Sequence, residues 1–72
     1  MKILTVKALP IELYKILKIE NWVMSGGEAK VVISEGMVEV NGEAEYRKRR
    51  KIIEGDVVEF NQLSVKIEVA KS

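Results

Sequence analysis

The chain contains neither cysteine nor histidine, and it has only one proline and one tryptophan among its 72 residues. Without cysteine it has no disulfide and no thiolate metal site, and without histidine it lacks the commonest general base. The Cys–His and Ser–His pairs that activate nucleophiles are absent as well. Any catalysis would have to use carboxylates or lysine, so we expect a non-enzymatic protein with no metal and no cofactor.

Long hydrophobic runs are also missing. No segment approaches the roughly 20 apolar residues that cross a bilayer, and the first residues, MKILTVKALP, reach Pro10 before they have the apolar core of a signal peptide. The chain is nevertheless 47% hydrophobic, so it is not a disordered tail. We expect a single domain over residues 1–72, a cytoplasmic monomer with no attachment to membranes.

Residues 25–36 carry the clearest helical pattern. Ser25 and Glu28 have the spacing of a capping box, in which the serine hydroxyl accepts from the Glu28 amide and the Glu28 carboxylate accepts from the Ser25 amide. A helix is therefore predicted to begin at Gly26 and to end at Gly36. Its apolar stripe consists of Ala29, Val32 and Ile33.

The next residues predict a hairpin. Val38 and Val40 alternate with polar neighbours as a half-buried strand, and Asn41-Gly42 favours a type I′ turn. A second short strand is expected over residues 43–46. Its Glu43 and Glu45, like Glu54 and Asp56 further on, lack apolar neighbours that would raise a carboxylate pKa, so we interpret all four as exposed turn residues.

The remaining elements follow from periodicity. Residues 2–7 predict a strand that could lie at a sheet edge, and residues 10–19 predict a helix with Pro10 in its first turn. Residues 57–60 and 63–69 alternate as strands, and Ile52 and Ile53 are expected in the core. Trp22 is predicted to pack between the two helices, with a stacking surface for a base as the alternative.

Gly26 and Gly27 are unusual in a first helical turn, because glycine costs roughly 1 kcal/mol relative to alanine there. One interpretation is that the bare backbone lets a phosphate or another backbone come close. The other is a flexible or tightly packed turn. The carboxylate of Glu28 would repel an anion on the helix axis, so a ligand beside the glycines is easier to accept.

The net charge of +1 conceals a local cluster of positive charge. Five of the twelve basic residues are consecutive: Arg47, Lys48, Arg49, Arg50 and Lys51, which we call the basic run. If the run is extended, about three of its side chains can touch phosphates at once, which implies a log–log salt slope of about −2 to −3. The alternative is a solvated loop balanced by the four nearby acidic residues.

Taken together, these motifs resemble the S4 RNA-binding domain, also called the αL RNA-binding motif. The resemblance rests on the order and spacing of several short motifs from about residue 9 onward: Leu13, Leu17, Ser25, Ala29-Lys30, Gly36, Val38, Val40-Asn41-Gly42 and Gly55-Asp56-Val57-Val58. The SGG-x-AK segment, the arginine-rich stretch and the GDVVE ending are most similar to the small stand-alone bacterial S4-like proteins of the YaaA/YbcJ group.

This resemblance implies an α+β fold with two α-helices packed on a small antiparallel β-sheet. It also implies that RNA is held by the helix starts, the second helix and an adjacent loop. Lys30 matches the basic residue after the alanine of the motif, and Ser25 matches the serine that caps the second helix. Gly26 departs from the pattern, because S4 domains usually have arginine there.

The sequence therefore predicts a module that binds structured RNA, either ribosomal RNA or an assembling ribosomal particle. Phosphates would be held by Lys30 and the basic run, with Ser25, Gly26 and Gly27 at the start of the helix and with Lys15 and Lys18 at the periphery. The alternative is a protein-interaction adaptor whose basic run docks on an acidic partner.

Overall fold

The computed structural model describes residues 1–70. Within them, two helices and seven strands follow one another in the order β1 (Lys2–Val6), β2 (Ile11–Glu12), α1 (Leu13–Ile19), α2 (Gly26–Ser34), β3 (Val38–Val40), β4 (Glu43–Ala44), β5 (Lys51–Ile52), β6 (Val57–Phe60) and β7 (Leu63–Val69).

Five of these strands form one sheet in the order β1-β7-β6-β3-β4, and β2 pairs with β5 in a separate ribbon. The predicted α+β class, with two helices and a small sheet, is confirmed. The sheet is mixed rather than antiparallel throughout, because β1 runs parallel to β7. The expected edge position of the first strand is also confirmed, since β1 closes one side of the sheet.

The apolar sides of the helices and the sheet meet in one core. Its fully covered side chains include those of the helical stripes and of the strand centres: Leu13, Ile16, Leu17, Ala29, Ile33, Val38, Ile52, Val58, Val65 and Ile67. Ile53 was predicted to join them, but it is 56% exposed because it follows Ile52 on the opposite side of the chain. Neither helix in residues 1–70 is long and apolar enough to span a bilayer.

Helix α2 begins and ends where its capping signals predict. The Glu28 amide donates to the Ser25 hydroxyl at 3.1 Å, but the Glu28 carboxylate accepts from the Met24 amide at 2.6 Å rather than from the Ser25 amide. At the other end Gly36 has φ +74° and its amide donates to the Ile33 carbonyl. The Met37 amide donates to the Val32 carbonyl at 3.1 Å, which completes a Schellman motif.

Helix α1 is shorter than predicted. It begins at Leu13, not Pro10, because Ile11 and Glu12 pair with β5 as strand β2. Glu12 makes no side-chain cap. The first free amides of the helix donate instead to backbone carbonyls of the basic run, a long-range replacement for a local cap.

The hairpin forms as predicted, although its second strand is short. Asn41 and Gly42 both have positive φ, as a type I′ turn requires. Strand β4 ends at Ala44, so Glu45 and Tyr46 lie beyond it. Trp22 is half-buried against the core, with its ring centroid 6.2 Å from that of Phe60 in β6. The packing predicted for this tryptophan therefore involves strand β6.

Candidate functional site

A surface groove of about 1050 Å³ lies between α2 and the segment that follows the hairpin. Both predicted sources of positive charge line it, Lys30 from α2 and all five residues of the basic run. Three further residues complete the lining: Val31, Ser34 and Tyr46. The groove therefore brings Lys30 together with cations that lie at least 17 positions further along the chain.

One face of α2 forms one wall of this groove. Lys30, Val31 and Ser34 line the groove, and Gly27 lies one turn earlier on the same face, because residues at i, i+3, i+4 and i+7 of a helix share a side. The opposite face carries Ala29 and Ile33 into the core. Burial of that face fixes the rotation of the helix and so directs Lys30 toward the basic run.

The basic run forms a turn, not the extended segment that was assumed in counting three phosphate contacts. The Arg50 amide donates to the Arg47 carbonyl at 3.2 Å, so Lys48 and Arg49 occupy the two central positions. Their side chains project from the tip of a tight loop instead of alternating along a strand. We call residues 47–50 the basic turn.

The backbone of the basic turn is attached to α1. The Leu13 amide donates to the Arg50 carbonyl at 2.9 Å, and the Tyr14 amide donates to the Lys48 carbonyl at 3.1 Å. These bonds satisfy amides at the start of α1 while fixing the position of the turn. The cationic side chains are thus carried on a backbone that is tied to the core.

Glu45 is buried beneath the basic turn and bonds to it, so its interpretation as an exposed residue is wrong. It is only 7% exposed, and its carboxylate lies 3.0 Å from the Arg47 guanidinium and 2.7 Å from that of Arg50. It also accepts from the Tyr46 and Arg47 amides. The hydrogen bonds from Arg47 and then Arg50 lower the pKa of Glu45 from its ordinary 4.5 to about 2, and the pKa of Arg47 is raised in turn.

Glu45 therefore divides the basic run into two groups. Arg47 and Arg50 are paired with it, whereas Lys48, Arg49 and Lys51 make no ion pair with any other residue in the range 1–70. Of the other three acidic residues expected to balance the run, none forms an ion pair with it in the described chain. Three cations of the run, together with Lys30, remain available to an anion.

The start of α2 is not part of the groove lining. Ser25 serves as the N-cap, and side chains added at Gly26 or Gly27 would meet their nearest atoms at only 4.0 and 3.8 Å. Neither glycine is therefore required by tight packing. The bare backbone here is open to an approaching ligand.

The two peripheral lysines of α1 also lie outside the groove lining. Lys15 pairs with Glu12 at 3.6 Å, as their spacing suggests. Lys18 lies beside Gly26, with its Cδ 4.0 Å from the position of an added Cβ. In residues 1–70 no group of three or more acidic side chains lies close enough to hold a metal ion.

Sequence reasoning missed Glu45, Tyr46 and Val31. A carboxylate two positions before an arginine-rich run was the available signal for Glu45, since a short turn brings such neighbours into contact. Tyr46 and Val31 gave no comparable signal, because each is an apolar residue that the fold leaves more than half exposed. Only their shared position in the groove gives them a common role.

Comparison with known proteins identifies the family. A model of the S4 domain matches residues 4–68, so the match begins earlier than the residue 9 expected from the motifs. A protein of Escherichia coli strain K12 named "Putative RNA-binding protein YbcJ" is 47% identical over 57 residues, which cover 79% of this chain and 81% of that protein. "Probable ribosome maturation protein RlbA" of Bacillus subtilis is 47% identical over 50 residues, 69% of this chain and 70% of that protein.

Solved structures agree with this relationship. The solution structure of YbcJ from E. coli, described as having an αL motif involved in RNA-binding, matches with a TM-score of 0.70 and 44% identity over 97% of this chain and 89% of that one. The 30S ribosomal protein S4e of Thermoplasma acidophilum shares the fold, with a TM-score of 0.60 and 24% identity over 81% of this chain and 31% of that one. The resemblance predicted from the motifs is confirmed, and the chain belongs to the S4 domain family.

Proposed function

We propose that this protein is a non-enzymatic RNA-binding module that binds structured RNA, namely ribosomal RNA or a ribosomal particle during its assembly. In this proposal it acts as a cytoplasmic monomer. Lys30, Lys48, Arg49 and Lys51 contact phosphates, while Arg47 and Arg50 shape the turn that presents two of them. Gly26 and Gly27 leave the backbone at the start of α2 open to the RNA, and Ser25 caps that start.

The observation that carries the proposal is the convergence of Lys30 and the basic run on one groove. Like charges repel, so a folded protein tolerates such a cluster best when a polyanion neutralises it. Glu45 offsets part of the repulsion but leaves several cations without a protein partner in residues 1–70. A nucleic-acid backbone supplies the negative charge that these unpaired cations lack.

The names of two relatives also support RNA binding. The E. coli relative is named as an RNA-binding protein, and the B. subtilis relative is named as a ribosome maturation protein. Both are matched over more than two thirds of their lengths. The choice of ribosomal RNA as the target rests on the second of these names and on the fold shared with a ribosomal protein.

Charge reversal tests the proposal. The double variant Lys48→Glu/Arg49→Glu should abolish retention of purified ribosomal RNA on a filter at moderate salt. The matched control is Lys7→Glu/Lys66→Glu, since Lys7 and Lys66 are exposed and lie outside the groove. Each substitution changes the charge by two, so both double variants move the net charge from +1 to −3. Circular dichroism checks that both remain folded.

The salt dependence supplies an independent measurement. Four phosphate contacts predict a log–log slope of about −3 to −4 for the wild type. The milder variant Lys48→Ala/Arg49→Ala removes two of these contacts and should reduce the magnitude of the slope by about two. Equal binding by both charge-reversal variants would refute the proposed interface. A partner protein that stays bound after nuclease treatment, with no RNA retained by the purified chain, would instead support the adaptor.

A further inference from the structure

The groove is not uniformly polar, and its apolar part is unexplained by phosphate binding. Tyr46 is 62% exposed and Val31 is 54% exposed, and both line the groove among the cations. Cations alone would be enough to hold a sugar–phosphate backbone. Exposed apolar side chains in the same place indicate a ligand that also carries a flat, weakly polar group.

Contacts within the protein place the Tyr46 ring and its backbone. Its ring lies over Gly36 so closely that a Cβ added to the glycine would be 2.8 Å from the ring. The Tyr46 amide donates to the Glu45 carboxylate at 3.1 Å, and the Glu45 amide donates to the Val38 carbonyl at 2.9 Å. An aromatic ring fixed before binding loses little conformational freedom when a ligand stacks on it.

The ligand chemistry that fits both parts of the groove is a nucleotide with an accessible base. Aromatic side chains stack on the faces of unpaired bases while nearby cations hold the flanking phosphates. Bases inside an A-form duplex are already stacked, and side chains cannot reach them through its deep, narrow major groove. A volume of about 1050 Å³ leaves room for a nucleotide together with part of its flanking backbone.

We propose that the groove accepts an unpaired nucleotide of the RNA, with its base on Tyr46 and Val31 and its neighbouring phosphates on the free cations. This inference rests on the proposed RNA-binding function and narrows it to RNA that contains a bulge or an open loop. Tyr46 is then the residue that distinguishes such RNA from a continuous duplex. Lys48 and Arg49 contribute to the binding of either form.

The test compares two RNA probes by fluorescence anisotropy at one fixed salt concentration. One probe is a fully paired duplex, and the other is the same duplex with an unpaired bulge. The wild type should bind the bulged probe about tenfold more tightly, as expected when one base stacks on an aromatic ring. Tyr46→Ala should remove this preference, because it should weaken binding of the bulged probe about tenfold more than binding of the paired duplex.

Two further variants guard against a simple folding defect. Tyr46→Phe retains the ring, so it should keep the preference for the bulged probe. Val31→Ser alters an exposed position of α2 and should lower that preference several-fold without unfolding the chain. The inference is overturned if the wild type binds both probes equally, or if Tyr46→Ala weakens both alike while remaining folded.

The charge-reversal variant separates this inference from the proposed function. If Lys48→Glu/Arg49→Glu loses both probes while the wild type prefers neither, RNA binding stands and the nucleotide site is wrong. If the wild type binds neither probe nor ribosomal RNA, both proposals fall together.

Discussion

Replacing Glu45 by glutamine should destabilise the protein by about 1 to 2 kcal/mol at pH 7. The Arg47 and Arg50 guanidinium groups lower the pKa of Glu45 from 4.5 to about 2. That difference of roughly 2.5 corresponds to at most about 3.4 kcal/mol of stabilisation of the charged form. The Arg47 side chain is 74% exposed, so water screens the ion pair. The expected loss is therefore about 1 to 2 kcal/mol and not the upper limit.

The effect should depend on pH in a specified direction. A carboxylate whose pKa is lower in the folded state stabilises the fold above its unfolded pKa, and that stabilisation is lost as the pH falls through the folded value. For Glu45 the loss lies between about pH 4.5 and pH 2. The gap in unfolding free energy between wild type and Glu45→Gln should therefore shrink to roughly half or less at pH 3.

Urea unfolding, followed by the fluorescence of Trp22, the single tryptophan, measures the loss of unfolding free energy at pH 7 and at pH 3. Glu43→Gln is the matched control, because Glu43 is exposed on the adjacent strand and makes no ion pair within residues 1–70. It should change stability by less than about 0.5 kcal/mol. The role assigned to the Glu45 carboxylate would be refuted if Glu45→Gln lowered the unfolding free energy equally at pH 7 and pH 3. It would also be refuted if that loss were no larger than the loss caused by Glu43→Gln.

Other substitutions test the capping, the turns and the core, all by urea unfolding. Ser25→Ala should cost about 1 kcal/mol, because it removes the N-cap acceptor of α2. Gly36→Ala should cost about 1 kcal/mol more than Gly42→Ala, because both glycines have positive φ but only at Gly36 would the added Cβ crowd the Tyr46 ring. Similar costs for the two would show that the ring moves aside freely. Leu17→Ala should cost about 2 to 5 kcal/mol, since this side chain is completely buried, and a smaller loss would mean that the core closes around the cavity.

Features that depend on neighbouring residues could be predicted from the sequence. Ser25 and Gly36 mark the limits of α2 because capping uses amides and carbonyls within one turn of the helix end. Asn41-Gly42 predicts the hairpin because few residue pairs adopt positive φ twice in succession. The alternation over residues 63–69 predicts β7 because one face of that strand is buried.

Features that depend on distant partners could not be predicted in this way. Pro10 was placed in a helix because its local pattern allows one, whereas residues 11–12 instead pair with β5 some 40 positions later. The parallel pairing of β1 with β7 joins opposite ends of the described chain. No local pattern specifies either partner, because both pairings are chosen by burial of the whole core.

The candidate site shows the same division. The resemblance to S4 domains indicated Lys30 and the second helix, and the charge of the basic run was visible directly. The turn in that run was missed, because its own Arg50–Arg47 backbone hydrogen bond is supplemented by amides of α1 and by Glu45, which lie outside the run. Glu45 was interpreted as exposed because its sequence neighbours did not indicate an apolar surrounding, whereas two of the groups that cover it are arginines.

Counting charges in the sequence consequently overestimates what the basic run offers to a phosphate. Glu45 keeps its negative charge at any pH well above 2, so its two arginines are committed to the fold before RNA arrives. A phosphate that contacted Arg47 or Arg50 would have to compete with a carboxylate already within 3.0 Å. The arginines therefore serve mainly to set the shape of the turn, and the affinity for RNA should depend on Lys48, Arg49, Lys51 and Lys30.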